Sequence, residues 1–345
     1  MRSLVLMLSL ATLSGALAAQ TAAPDADSPA AEAHIAKAVT IAGADLTKPL
    51  FLCHRNGLNV VLTASREGST QWLEPTKAFD NLYFVGNKFI GVWIVKTSAG
   101  LILFDSSEST EEARDHLVPG LRKLGLDPAQ IRYVIVTHAH WDHFGGAEYL
   151  KETYGARIGF GAPDWALLER ELPGSLERSD RTPPQKDLVV NDGDRLTLGD
   201  TTIQLYVTPG HTPGTVSALI PAREGGHTYI LSLLGSTAFP PTIEPTERTG
   251  GLRSYDNSVR RLSKIGSDAG AVGILNTHIF VDGSEERLAA ARERTKDAPN
   301  PFLLGTAAVT RYYGILDECL QAAEERPLVQ SEWSKPLPPA TGSGR

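Results

Sequence analysis

Between residues 82 and 104 the apolar positions fall in short runs broken by turn formers: Leu82-Tyr83-Phe84-Val85, Gly91-Val92-Trp93-Ile94-Val95 and Leu101-Ile102-Leu103-Phe104. Runs of that length, rich in β-branched and aromatic residues, predict strands. Ser98-Ala99-Gly100 predicts the turn joining the last two. The period then changes: Ala113, Leu117, Leu121 and Leu124 recur at helical spacing, so residues 111–124 predict an amphipathic helix. Residues 131–137 form a nearly continuous β-branched run, which predicts a strand buried on both faces. A helix resumes over 146–154.

A second half repeats the logic. Residues 196–198 and 202–207 predict a hairpin around Gly199-Asp200, and further strands follow at 216–220 and 229–233. Pro209-Gly210-His211-Thr212-Pro213-Gly214 reads as a tight turn between them. A helix over 253–265 leads to a strand at 272–275, with late helices at 285–296 and 307–323. Two β-rich halves with helices outside imply an α/β fold in which two sheets pack together between helices.

The ends of the chain read differently. Residues 1–19 resemble a signal peptide: Arg2 is the positive segment, residues 4–13 the apolar segment, and Ala16-Leu17-Ala18 the cleavage site. The apolar run is about ten residues, against about 20 needed to span a bilayer, so no stable membrane insertion is expected after its removal. A periplasmic or secreted location follows. Residues 20–40, rich in Ala, Pro and Asp without apolar periodicity, predict a flexible leader that adds nothing to the core. The expected organisation is a signal peptide over 1–19, a leader and extension over 20–69, the main domain over 70–323 and a tail over 324–345.

Composition narrows the function classes. With 41 % hydrophobic and 21 % charged residues the chain is globular in type, not collagen-like or disordered. A net charge of −7 leaves no basic footprint for phosphate backbones, so no nucleic-acid partner is expected. The expected partner is a small-molecule substrate, and oligomeric state is not readable. The two cysteines, Cys53 and Cys319, stand near opposite ends of the mature chain. In an oxidising compartment they form either a disulfide, contributing about 4–5 kcal/mol in the chain-entropy model, or two buried thiols.

Three of the nine histidines fall within six residues, in His138-Ala-His140-Trp-Asp142-His143, directly after the 131–137 strand. Helical spacing does not bring these four side chains to one point, whereas a tight loop leaving a buried strand does. Imidazole and carboxylate suit zinc, and the lack of nearby cysteine ligands favours an open catalytic site over a structural one. His211 lies in its Pro/Gly-framed turn after one strand, and His278 follows another. His34, His54, His116 and His227 lack such settings and read as surface or packing residues. Asp105 also follows a strand and either ties a metal loop or is a plain turn residue. Trp141 either lines a pocket or packs beneath the loop.

On these residues the chain resembles the metallo-β-lactamase superfamily over roughly residues 70–320. The resemblance implies the αββα sandwich of two mixed sheets flanked by helices. It places His138, His140 and His211 on a first zinc and Asp142, His143 and His278 on a second. Two zincs about 3.5–4 Å apart would share an attacking hydroxide oriented by Asp142. Many members place a bridging Asp after the strand that here reads Ile230-Leu231-Ser232-Leu233-Leu234, whereas this chain has Gly235-Ser236-Thr237. Serine there, with six ligands and no cysteine among them, is similar to the third subclass of true metallo-β-lactamases, as are residues 189–194, 208–217 and 72–75. Ser236 is then a catalytic candidate, able to hydrogen-bond Asp142 or the metal's water. Phe280-Val281-Asp282-Gly283 and Pro301-Phe302 depart from the usual β-lactamase wording. The expected function is β-lactam hydrolysis. A zinc hydrolase of lactones, esters or thioesters is the alternative, followed by an iron-dependent oxygenase or a non-catalytic metal-binding protein.

Overall fold

The computed structural model describes residues 27–171, 183–236, 238–239 and 251–326. The expected signal peptide, and the expected tail from residue 327 onward, lie outside the described residues.

The chain opens with α1 (Pro29–Ala42), a 3₁₀ turn (Lys48–Cys53) and α2 (Gly57–Gly68). Next come β1 (Thr76–Lys77), β2 (Leu82–Gly86), β3 (Gly91–Thr97) and β4 (Gly100–Phe104). The helix expected over 111–124 is α3 (Thr110–Glu112), a π turn (Ala113–Leu117) and α4 (Val118–Lys123), running end to end. β5 (Ile131–Ile135), α5 (Trp141–Phe144), α6 (Ala147–Tyr154), β6 (Arg157–Gly161), α7 (Ala162–Glu171) and β7 (Leu188–Val190) complete the first half.

The second half runs β8 (Arg195–Leu198), β9 (Thr201–Val207), β10 (Val216–Glu224), β11 (His227–Leu234) and α8 (Leu252–Asp268). It closes with β12 (Ala271–Asn276), α9 (Ile279–Asp282), α10 (Ser284–Glu293) and α11 (Thr306–Glu324). Strands β1 to β7 lie in sequence order in one sheet, and the other sheet has the order β12-β11-β10-β9-β8. Both are mixed: β4 to β7 pair in parallel, as do β11 and β12, and the remaining pairs are antiparallel.

The continuous apolar runs now have a cause. On β3, Trp93 and Val95 face the space between the sheets, where they join Phe84, Phe104, Val216 and Leu231. Val92 and Ile94 point the other way, toward Leu117, Leu121 and Ile158 beneath the outer helices. A strand covered on both faces has no solvated side on which to carry polar residues. β5 departs partly from that expectation, since Arg132 is exposed and Tyr133 half-buried between the buried Ile131 and Val134.

Strand direction positions the site. The parallel run places the C-terminal ends of β4, β5 and β6 at one edge of the first sheet. In the second sheet β9, β11 and β12 point the same way, because β10 is antiparallel to both β9 and β11 and β12 is parallel to β11. The sheets are laced together at that edge by Val216 N–H donating to Thr137 O at 2.7 Å and by Trp93 Nε1–H donating to Asn276 O at 2.9 Å.

The expected flexible leader over 20–40 is corrected. Pro29–Ala42 is a helix, capped by Ser28 Oγ accepting from Ala31 N at 3.1 Å, with proline in its first turn. Ala31, Ala38 and Ala42 are fully buried, so the centre of the contact stripe is made of methyl groups, with Ile35 and Ile41 half-buried beside them. That is why no apolar periodicity announced it. Arg311 donates to Ile41 O and Ala42 O, and His34 meets Glu318 at 2.6 Å. Of the two states open to the cysteines, the disulfide is formed: Cys53 is bonded to Cys319 across 266 residues. β6, α7 and β7 were likewise not expected from the sequence.

Candidate metal centre

Five loops converge at the shared edge, following β4, β5, β9, β11 and β12. The loop after β5 carries His138, His140, Asp142 and His143, the last two on the short helix α5. That helix packs so closely on the 106–109 turn that a Cβ at Gly145 would lie 2.0 Å from Glu108 O, so only glycine fits. His211 arrives after β9 and His278 after β12.

The structure brings all six expected ligands together in two groups. One donor atom from each of His138, His140 and His211 lies within 4.8 Å of the others, and the same holds for Asp142, His143 and His278. Other histidines sit elsewhere. His34 on α1 hydrogen-bonds Glu318, and His116 stacks on Trp72 with ring centres 4.0 Å apart.

Tautomer is set at four of the five histidines by what their Nδ1–H groups meet. His138 donates to Gly235 O at 2.9 Å, His211 to Ala238 O at 2.7 Å, and His278 to Phe89 O at 3.0 Å. His143 donates to Asp105 Oδ2 at 2.7 Å. Each bond leaves Nε2 aimed inward, as a lone pair on His138, His211 and His278 and, on His143, as an atom whose proton a bound cation would displace. His140 turns its Nδ1 inward instead, 3.0 Å from His211 Nε2. His143 Nε2 lies 3.2 Å from His278 Nε2. Ring nitrogens approach so closely only around a shared proton or a shared cation.

The fit to a cation rests on one atom above the rest. His138 Nε2 is fully buried and has no hydrogen-bond partner. An unsatisfied acceptor in that position costs about 1–3 kcal/mol unless something electrophilic meets it. Burial lowers the basicity of His138 and His211, and neighbouring histidines reinforce the effect, so both offer neutral, ligating rings. Burial likewise brings His278 down to about 4. Asp142 is pushed up by burial, but His143 and His278, at 3.4 and 3.5 Å from its Oδ2, more than offset this and hold it ionised. Burial also opposes charge on His143, yet the carboxylates of Asp142 and Asp105 outweigh it and raise its pKa to about 10.

Asp105 does tie the metal loop. It is fully buried, and its carboxylate accepts from Thr137 N at 2.7 Å, Thr137 Oγ1 at 3.0 Å and His143 Nδ1 at 2.7 Å. Its φ of 68° is the left-handed conformation that Asp tolerates better than most residues. Trp141 is half-buried and packs on the apolar cluster outside the first sheet.

Of the two partners expected for Ser236, Asp142 is not met. The serine hydroxyl donates to Tyr255 Oη at 2.9 Å and forms no bond with Asp142. The backbone dictates this. Gly235 N–H is held by Ser217 Oγ and Gly235 O by His138, which turns the next side chain toward α8.

Two contributors escaped the sequence reading. Tyr255 sits under the His211 turn, where a Cβ at Gly210 would lie 2.4 Å from its ring. Asp164, at the start of α7, is wholly buried and hydrogen-bonded to both ligand loops of the first group. Burial raises its carboxyl to about 6 although Thr212, Ala139 and Gly214 all donate to it. An acid following Gly-Ala-Pro at a helix start was the only trace either left.

Comparison with known proteins places this geometry. The sequence profile described as the metallo-beta-lactamase superfamily matches residues 86–225. A subclass B3 metallo-beta-lactamase of Bradyrhizobium japonicum is similar in structure, with a TM-score of 0.61 and 31 % identity over 72 % of this chain and 92 % of that one. Among curated sequences, a probable metallo-hydrolase of Burkholderia pseudomallei (strain 1710b) is 28 % identical over 46 % of this chain and 55 % of its own length. A cytoplasmic hydroxyacylglutathione hydrolase of Arabidopsis thaliana is 37 % identical over 32 % and 36 %. The chain thus spans about half or less of the length of these curated relatives. Its donor set is that of a metal-dependent hydrolase, and by fold, site and sequence the chain belongs to the metallo-beta-lactamase superfamily.

Proposed function

We propose that this chain is a secreted, two-zinc hydrolase that opens β-lactam rings. The observation that carries the reading is the pair of three-donor groups, built from five histidines and one aspartate without cysteine, in a fold matched over 92 % of a subclass B3 enzyme. The disulfide supports the exported location, since such bonds persist in oxidising compartments.

His138, His140 and His211 would hold one ion, and Asp142, His143 and His278 the other. Zinc bound there supplies Lewis acidity and lowers the pKa of a water toward about 7. The protein's own residues do the rest. The Nδ1–H bonds to Gly235, Ala238, Phe89 and Asp105 keep the donor lone pairs aligned. Asp142 Oδ2 is the one anionic oxygen among the six donors. Because it stays ionised, it orients a water and accepts its hydrogen bond at neutral pH. Ser236 meets Tyr255 through its hydroxyl, and its carbonyl accepts from Asn276 Nδ2, whose Oδ1 accepts from His278 N.

A second reading is favoured by the curated relatives: hydrolysis of a hydroxyacylglutathione thioester. Zinc-loaded protein assayed with a penicillin, a cephalosporin, a carbapenem, a simple lactone and a hydroxyacylglutathione thioester separates the two. Turnover of a β-lactam with little of the thioester supports the proposal, and the reverse pattern replaces it.

A further inference from the structure

We propose that Asp164 is a positioning residue for the first donor group, clamping the loop of His138 and His140 to the loop of His211; this rests on the two-metal reading above. The two loops come from different sheets. His138 and His140 follow β5 in the seven-stranded sheet, and His211 follows β9 in the five-stranded one. Something must hold them in register for three nitrogens to converge.

Asp164 is placed to do so. Its Oδ2 accepts from Ala139 N at 2.8 Å, in the one residue between the two ligands of the first loop. The same oxygen accepts from Thr212 Oγ1 at 2.8 Å, in the residue next to His211. Its Oδ1 accepts from Gly214 N at 2.7 Å. One rigid carboxylate therefore fixes both sides of the 3.0 Å approach between His140 Nδ1 and His211 Nε2. The surroundings are shaped to it: a Cβ at Gly214 would lie 2.5 Å from Asp164 N and 2.8 Å from its Cβ and Cγ.

Its electrostatics point the same way. Among the described residues Asp164 has no cationic side-chain partner, and its oxygens are met only by N–H and O–H groups. A buried anion without a counter-charge is costly. A cation held by the three neutral histidines beside it supplies that charge, and the carboxylate in turn favours the cation. Asp164 touches no donor atom itself; it acts through the loops.

Asp164→Asn tests the clamp, because the amide keeps the shape but presents a donor to at least one of the three donors around it. Zinc affinity is read by competition with a chromophoric chelator in two backgrounds. In His278→Ala protein, where only the first group is complete, Asp164→Asn weakens zinc binding at least tenfold, as expected for a group that orients ligands. In His211→Ala protein, where only the second is complete, the same change moves affinity less than threefold. Equal weakening in both backgrounds, or none in the first, overturns the proposal in favour of a merely structural acid. Should Asp164→Asn not fold, Thr212→Val removes one clamp bond and shows the same asymmetry at smaller size, and symmetry there overturns it equally. Unsubstituted protein that binds no zinc refutes the two-metal reading itself, a result distinct from all of these.

Discussion

Replacing Asp105 with asparagine tests the tautomer logic of the site most directly. The carboxylate is surrounded only by donors: Thr137 N–H at Oδ1, and Thr137 Oγ1 and His143 Nδ1 at Oδ2. Asparagine retains one oxygen. If that oxygen keeps the short bond to Thr137 N, the amide N–H faces His143 Nδ1, which must then give up its proton and accept. The His143 proton moves to Nε2, the atom 3.2 Å from His278 Nε2 and 3.4 Å from Asp142 Oδ2, and the ligating lone pair is lost. If the amide flips, Thr137 N–H is left buried and unpaired, at a cost of about 1–3 kcal/mol. The expected outcome is a 10–100-fold weaker affinity at the second group, equivalent to about 1.4–2.7 kcal/mol. Chelator competition measures the affinity, and imidazole ¹⁵N shifts report the His143 tautomer. A variant that binds both zinc equivalents within threefold of the unsubstituted affinity, with His143 still protonated at Nδ1, refutes the reasoning.

His140→Ala is expected to abolish hydrolysis and release zinc from the first group while leaving the circular-dichroism spectrum unchanged, and full turnover would sink the assignment. Removing the Cys53–Cys319 bond with paired serines is expected to cost about 2–5 kcal/mol in urea unfolding, since the bond closes a 266-residue separation and pins the 3₁₀ turn beside α1 to α11. An unchanged midpoint would count against it. Asp256 is pushed up to about 7 by burial and by neighbouring Asp317, and its Oδ1 is buried without a partner. Its folded-state pKa lies above its ordinary value, so the native state holds the proton more tightly, and stability falls as pH rises from about 4 to about 7. Asp256→Asn should therefore melt higher than the unsubstituted protein at pH 8 and alike at pH 4; a constant offset at both would show that the carboxyl does not titrate there.

How much of this was legible in the chain depends on what each signal reports. Strand-length apolar runs and the 3.6-residue spacing of 111–124 report burial of a local face, and the strands and helices predicted from them are present to within a few residues. Metal-type side chains placed directly after such strands were legible for a related reason: a loop at a strand end is where a side chain can leave the sheet and meet others. The 138–143 loop was legible that way, and the resemblance to the family completed the set with His211 and His278.

The sequence by itself thus determined which residues carry the chemistry and which elements present them. Only the tertiary structure decided how they are held. The helix over Pro29–Ala42 was hidden because its fully buried positions, Ala31, Ala38 and Ala42, are alanines, and only Ile35 and Ile41 add larger apolar contact. Ser236 was expected to bond Asp142 or a metal's water, and the bonds fixing Gly235 turn its hydroxyl to Tyr255 on α8. Asp164 carries no local pattern, because its three partners come from two loops that meet it only when the two sheets pack with their strand ends at one edge. Periodicity records which face of an element is covered, whereas hydrogen-bond partners far apart in sequence are chosen by strand order and direction, which emerge only when the chain closes on itself.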